Sequence, residues 1–284
     1  MKLAIITDTS ADIAASYLKR EDLFVLEIPI SIDGVDYEPS KMTHEAWFDL
    51  MKAAKDAPKT SQPSVAELSL LLKKLKDEAY THVLGLFLPA GISGFYANAF
   101  YLQNEFEGMS VLFPETFITS SPLGYMVQTA LDGKDKGNSF EEILTHFEWQ
   151  RDHDHAFMLV DDLKWLAKGG RLSNASAFVG TLMNIKPLLQ FSDGGEVVVY
   201  DKVRTIKKAM SEMKRLVLEN TKTGAFKVYV LNAGALDRAQ ELYDFAIAQG
   251  FDDVEMTTFG PVIATHLGVG AIACAISPKF ETKD

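Results

Sequence analysis

The chain has 284 residues, 47% apolar and 24% charged, with a formal net charge of −11. That length suits two domains better than one and supplies enough apolar residues for a sizeable core with an internal pocket. The acidic balance argues against nucleic acid as a partner, the single cysteine leaves no disulfide framework within the chain, and no stretch approaches the roughly 18 apolar residues of a membrane span.

Residues 1–10 (MKLAIITDTS) hold a short apolar run without a cleavage-like site. They read as a first strand rather than a signal peptide, so the expectation is a soluble, cytoplasmic protein with no stable membrane insertion. LAIIT (3–7) is that strand, followed by a polar-capped helix from Ala11 and a second strand at FVLEIPI (24–30). Thr43 caps a helix through Lys52. Ser64 and Glu67 form a capping box ahead of LSLLLKKL, and Ser139 and Glu142 form another ahead of ILTHF. HVLGLFL (82–88) and SVLF (110–113) are further strands. Short apolar strands alternating with helices imply a mainly parallel sheet covered on both faces, a three-layer α/β/α arrangement.

The polar run QRDHDH (150–155) reads as the boundary between an N-terminal α/β domain, 1–152, and a C-terminal one, 153–284. Beyond it AFMLV (156–160), EVVVY (196–200), KVYVLN (227–232) and VEMTTF (254–259) read as strands. Thr205 caps a helix whose apolar positions Ile206, Ala209, Met210, Met213, Leu216 and Val217 share one face, and another helix runs from near Leu236 to Gly250. This half is predicted to be a mixed-sheet α/β layer. Cys274 lies in an apolar run, AIACAI, and reads as a small buried hydrophobe.

Four loops combine glycine with hydroxyls, His or Arg. KTSQPS (59–64) precedes a helix start, where unpaired N–H groups and partial positive charge suit an anion, and Thr60 and Ser61 add hydroxyl donors. PAGISGFY (89–96) follows a strand, the side of a parallel sheet where ligands collect, and places Ser93 beside Gly94. KGGRLS (168–173) presents Arg171 as a cation for phosphate or carboxylate. GPVIATHLGVG (260–270) carries Thr265 and His266. Its G-x-G-x-x-A pattern imitates a dinucleotide fingerprint, but too little chain follows Gly270 for the helix, strand and acidic residue that fingerprint needs. Each loop taken singly reads equally well as turn chemistry. His153-Asp154-His155 lacks further ligands at zinc-like spacing. The basic run KVRTIKKAMSEMKR (202–215) reads as a solvated face or a dock for an acidic partner.

In order and spacing, these loops and the segments TDTSAD (7–12), VGTLMNIKPLL (179–189) and KVR-x-x-KKA (202–209) resemble the DegV family of bacterial lipid-binding proteins, as one unit over residues 1–280. The resemblance implies two α/β domains with a ligand tunnel between them. It implies a bound long-chain fatty acid presented to a separate ATP-dependent fatty acid kinase, which makes acyl phosphate for phospholipid synthesis. It assigns the carboxylate to Thr60 and Ser93, with Ser61, Gly94 and His266 at the same site, and Arg171 and Thr265 to head-group or partner contact. It implies no catalysis, cofactor or metal. The alternatives are a carrier of another lipid-like or small carboxylic acid, and a Ser93/His266 acyl hydrolase. The chain departs from the family pattern at Pro89, Ala90, Phe95, Glu115 and Val269, and Phe95 is expected to narrow or redirect the pocket near the head group.

Overall fold

The computed structural model describes residues 1–161, 163–172 and 185–280. Ser173 and the 179–184 part of the VGTLMNIKPLL stretch lie outside the described residues.

Strands β1 (Leu3–Asp8), β2 (Leu23–Leu26), β3 (Ile30–Ile32), β4 (Val35–Tyr37), β5 (Lys59–Thr60), β6 (His82–Gly85) and β7 (Ser110–Leu112) belong to the N-terminal half. Four of them form an all-parallel sheet in the order β2-β1-β6-β7. Every residue of β1 is buried, because both faces are covered. Ala4 and Ile6 pack with Leu68, Leu72 and Leu75 of the helix Val65–Asp77. Leu3 and Ile5 pack with Leu123 and Met126 of the helix Ser120–Asp135 and with Phe140 and Phe147 of the helix Phe140–His153. The expected three layers are therefore present.

Strands β8 (His155–Leu159), β9 (Lys186–Phe191), β10 (Val197–Val203), β11 (Phe226–Asn232), β12 (Val254–Thr258) and β13 (Ile272–Pro278) form one sheet, ordered β10-β9-β8-β13-β11-β12. Only β11 and β12 pair in parallel, so the sheet is mixed. Its outer face packs on the helices Ile206–Glu219 and Leu236–Ala248 through Met213, Leu216, Ala239 and Leu242. Thr205 caps the first of these by accepting from Lys208 N at 3.2 Å, and five of the six apolar positions are buried, Ile206 being the exception. The inner face, with Met158, Leu189, Tyr229 and Ala273, meets Ile28, Ile30, Trp47 and Leu88 of the N-terminal half. An apolar core thus lies between the two sheets.

Several local expectations change. No helix follows Ala11. Ala11 N donates to Asp8 O in a tight turn and Asp12 N to Ser120 O, so the chain turns and pairs with a distant segment instead of continuing as a helix. The run FVLEIPI splits, because Thr9 Oγ1 takes Ile28 N and Pro29 has no N–H for a ladder. The chain then enters a small antiparallel sheet, β4-β3-β5. The polar run 150–155 is no loop. The helix continues to His153 and β8 starts at His155. Gln150 is buried in that last turn, where Thr129 Oγ1 donates to its Oε1 at 2.9 Å. Strands β9 and β13 had no strand expectation. An apolar run buried on both sides, such as IACAISP of β13, has no period to read. Cys274 sits there, 1% exposed, with its thiol pushed up to about 12 by burial.

Candidate functional site

Thr60 closes β5, where it pairs with Ile30, and Ser61 N donates to Pro29 O at 3.0 Å. Ser64 then caps the helix Val65–Asp77 by accepting from Glu67 N, so the turn at Thr60 is fixed on both sides.

The loop after β6 carries Ser93 and is pinned by side chains of neighbouring strand ends. The buried Asp8 carboxylate accepts from Leu88 N and from Ser10 N, each at 3.0 Å. Glu115 Oε2 accepts from Ala90 N at 3.1 Å, and Thr116 Oγ1 donates to Phe87 O at 2.7 Å. Gly91 passes against the turn between β9 and β10, where a Cβ would stand 2.5 Å from the Gly195 carbonyl carbon. Ser93 N donates to Pro89 O, and Ser93 Oγ accepts from Phe95 N at 3.2 Å.

From the other half comes the short helix Pro261–Leu267, which opens on Gly260-Pro261 and carries His266. His266 Nε2 lies 2.7 Å from Thr60 Oγ1. Its Nδ1 is buried without a hydrogen-bond partner, against Gly169, where a Cβ would be 2.9 Å away. Burial first, and the Arg171 charge second, depress the imidazole pKa to about 3, so His266 is neutral at ordinary pH. Arg171 donates to Gly169 O at 2.7 Å and to Thr60 Oγ1 at 3.4 Å. Burial lowers its pKa, and among the described residues no carboxylate pairs with it. A half-buried guanidinium that pairs with no described carboxylate and reaches the Thr60 hydroxyl is a ready partner for an anion.

These groups form the polar part of one cavity between the two sheets. Thr60, Ser61, Ser93, Thr119, Arg171 and His266 contribute to its lining. The rest is apolar: Leu88 and Ile92 from the N-terminal half, Met158, Phe191 and Val197 from the mixed sheet, Leu166, Val262, Ile263 and Leu267 from the short helices. The free space is about 50 Å³, room for one or two waters. A larger ligand has to displace side chains of the lining. A wider hollow of about 470 Å³, bordered by Lys59, Thr60, Gly169, Arg171 and His266, adjoins the polar end.

Of the residues singled out in the sequence, Thr60, Ser61, Ser93, Arg171 and His266 converge on this cavity. Gly94 stands beside it as the start of the short helix Phe95–Ala99, near Gln62. Thr265 is buried and its hydroxyl donates to Pro261 O at 2.7 Å. Phe95 does not narrow the pocket. Its ring is fully buried in the N-terminal core, edge-on to Phe87 at 5.0 Å, because the helix it opens turns that side toward the parallel sheet. Val269 packs against the core between the sheets without bordering the cavity. Thr119 was missed. It has no glycine neighbour and lies just ahead of a helix, so it reads as an ordinary cap, yet it makes no capping bond.

Among the described residues, no group of three or more His, Cys, Asp or Glu is placed to hold a metal. No described helix is long and apolar enough to cross a membrane.

Comparison with known proteins places these features. The model of the DegV family, described as an uncharacterised protein family, matches residues 2–279. The DegV domain-containing protein YqaC of Lactococcus lactis is 66% identical over 280 residues, covering 98% of this chain and 100% of that protein. The crystal structure of the fatty acid binding DegV family protein SAG1342 from Streptococcus agalactiae superposes with a TM-score of 0.95 at 46% identity, covering 99% of this chain and 100% of that one. That of DegV, a fatty acid binding protein from Bacillus subtilis, gives a TM-score of 0.87 at 28% identity, covering 98% and 100%. The chain belongs to the DegV family.

Proposed function

We propose that this protein binds a long-chain fatty acid between its two sheets and presents the carboxylate to an ATP-dependent fatty acid kinase, which forms acyl phosphate for phospholipid synthesis. It acts as a non-catalytic, cytoplasmic binding subunit in a bacterium, with no cofactor beyond the bound acid. The observation that carries this reading is the polar end of the cavity: Thr60, Ser93, Arg171 and His266 gathered at one side of an otherwise apolar lining. The fatty acid binding described for the Streptococcus agalactiae and Bacillus subtilis relatives supports it.

The chemistry matches the ligand. Each methylene of the tail gains about 0.8 kcal/mol on burial, and the carboxylate must find donors as it leaves water. Thr60 has a single proton. When neutral His266 donates from Nε2 to Thr60 Oγ1, and Arg171 donates to the same oxygen, that proton is free for the carboxylate. Ser93 supplies a second hydroxyl, and Ser61 and the backbone around Gly94 complete the polar end. The hollow outside Thr60, with Lys59 and Arg171 on its border and Thr265 in the helix behind His266, is where a partner reaches the head group.

Native mass spectrometry of the purified protein with oleate or palmitate tests the binding. The Thr60→Ala, Ser93→Ala double variant is expected to lose about a hundredfold in retention, the effect of two hydrogen bonds to a charged group. Unchanged lipid content would remove the site assignment, and no uptake by the unaltered protein would remove the reading. Failure of a fatty acid kinase with ATP to phosphorylate the bound acid would remove the kinase role.

The hydrolase alternative needs His266 as a base on Ser93. His266 Nε2 is engaged by Thr60 instead, and Ser93 Oγ accepts from Phe95 N.

A further inference from the structure

Thr119 lies in the cavity wall with no evident task. It is 6% exposed, and its Oγ1 is buried without a hydrogen-bond partner. It stands directly before the helix Ser120–Asp135, where a threonine ordinarily caps, yet its hydroxyl makes no cap bond. A buried hydroxyl left unpaired costs free energy, so its persistence calls for a partner that the protein alone does not supply.

The backbone around it is held in a costly shape. Phe117 and Ser120 have φ of 56° and 60°, the left-handed region that residues with a Cβ rarely occupy. Neighbouring bonds enforce it: Ser120 N donates to Ser10 O and accepts Asp12 N in return at Ser120 O, while Thr116 Oγ1 reaches Ile118 O. Such strain persists where the surroundings over-determine it, and here it fixes the extended Thr119 between two distorted residues.

There is room beyond it. Phe117 and Ile118 border a second hollow of about 370 Å³ beside the start of β8 and the end of β9, and Phe191 borders both this hollow and the cavity. Its wall combines Ala156 and Phe157 with charged and polar groups, Arg151, Asp152, Asp154 and Asp193 beside Gln190 and Ser192. A chain threading from the Thr60 end past Thr119 would therefore leave a purely apolar environment.

We propose that Thr119 is a specificity-determining residue that hydrogen-bonds an oxygen on the acyl chain itself, so that the protein favours long-chain acids bearing a mid-chain hydroxyl or oxo group over their saturated counterparts. This deepens the fatty acid reading above and rests on it. A site with an unpaired buried hydroxyl discriminates against the analogue that cannot satisfy it far better than an apolar site does.

The test is competition between stearate and a mid-chain hydroxystearate for the full-length protein, read by native mass spectrometry. The unaltered protein is expected to prefer the hydroxy acid by about tenfold, the scale of one buried hydrogen bond. Thr119→Val, which keeps the shape, should abolish that preference while leaving stearate bound. Thr119→Ser should restore it. Equal affinity of the unaltered protein for the two acids, or a preference that survives in Thr119→Val, overturns the proposal while leaving fatty acid binding intact. Binding of neither acid overturns both readings. Were Thr119→Val not to fold, retention of the preference by Thr119→Ala would overturn the proposal equally well.

Discussion

The N-terminal half contributes hydroxyls to the cavity, Thr60, Ser61, Ser93 and Thr119, whereas the half built on the mixed sheet contributes nitrogen, in Arg171 and His266, and most of the apolar wall. The hydroxyls sit on loops held rigid by buried side chains of adjacent strand ends, such as Asp8 and Thr116. The nitrogen groups sit on or beside short helices lodged against the inner face of the other sheet. Neither half alone supplies both the hydroxyls and the nitrogen groups of the cavity. The Thr60–His266 contact joins residues 206 apart in sequence, so the polar end of the cavity exists only once the two sheets have docked.

The sharpest way to break the N-terminal side is Asp8→Ala. Leu88 N and Ser10 N would lose their acceptor inside the protein, and a loss of about 3–5 kcal/mol is expected in urea unfolding, with fatty acid retention falling as the Ser93 loop loosens. Stability within 1 kcal/mol of the unaltered protein, taken as about the scale of a surface change, would show that the loop is held by other means.

Gly91→Ala strikes the contact between the halves. Its Cβ would meet backbone atoms of Gly194, Gly195 and Glu196 at 2.5–2.7 Å, and backbone cannot yield as cheaply as the end of a flexible side chain. About 1–3 kcal/mol of destabilisation is expected, with weakened fatty acid binding. A Gly91→Ala protein of unchanged melting temperature and affinity would mean that the cavity tolerates a shift of the halves.

The smallest effect concerns His266. Its folded pKa, about 3, lies below the ordinary histidine value of 6.5, so the unfolded chain binds its proton first as pH falls. Its contribution is intact above pH 6.5 and declines as pH drops toward 3, by at most about 1.4 kcal/mol per pH unit. Urea midpoints measured from pH 7 to about 5 should fall less steeply for His266→Gln than for the unaltered protein. Parallel curves would place the proton elsewhere.

What local pattern governs was legible. The β1 run, the Thr43, Ser64, Ser139 and Thr205 caps and the helix face at Met210 and Met213 depend on neighbours within a few residues. The Ser139–Glu142 box has both arms, whereas Ser64 makes only its own. The loops bearing Thr60, Ser93, Arg171 and His266 were visible because glycine, hydroxyl and charge at strand or helix ends are short-range signals too. By itself, then, the sequence determined the α/β layers and which loops carry hydroxyl, charge and imidazole at their ends.

Only the tertiary structure decided which of them meet. It turned Phe95 into the core and Thr119 into the cavity, set Arg171 and His266 on Thr60, and brought the backbone at Gly195 so close to Gly91 that a Cβ there has no room. The reason is physical. Which side of a short helix or strained turn faces inward depends on the surface packed against it, and that surface comes from the other half of the chain.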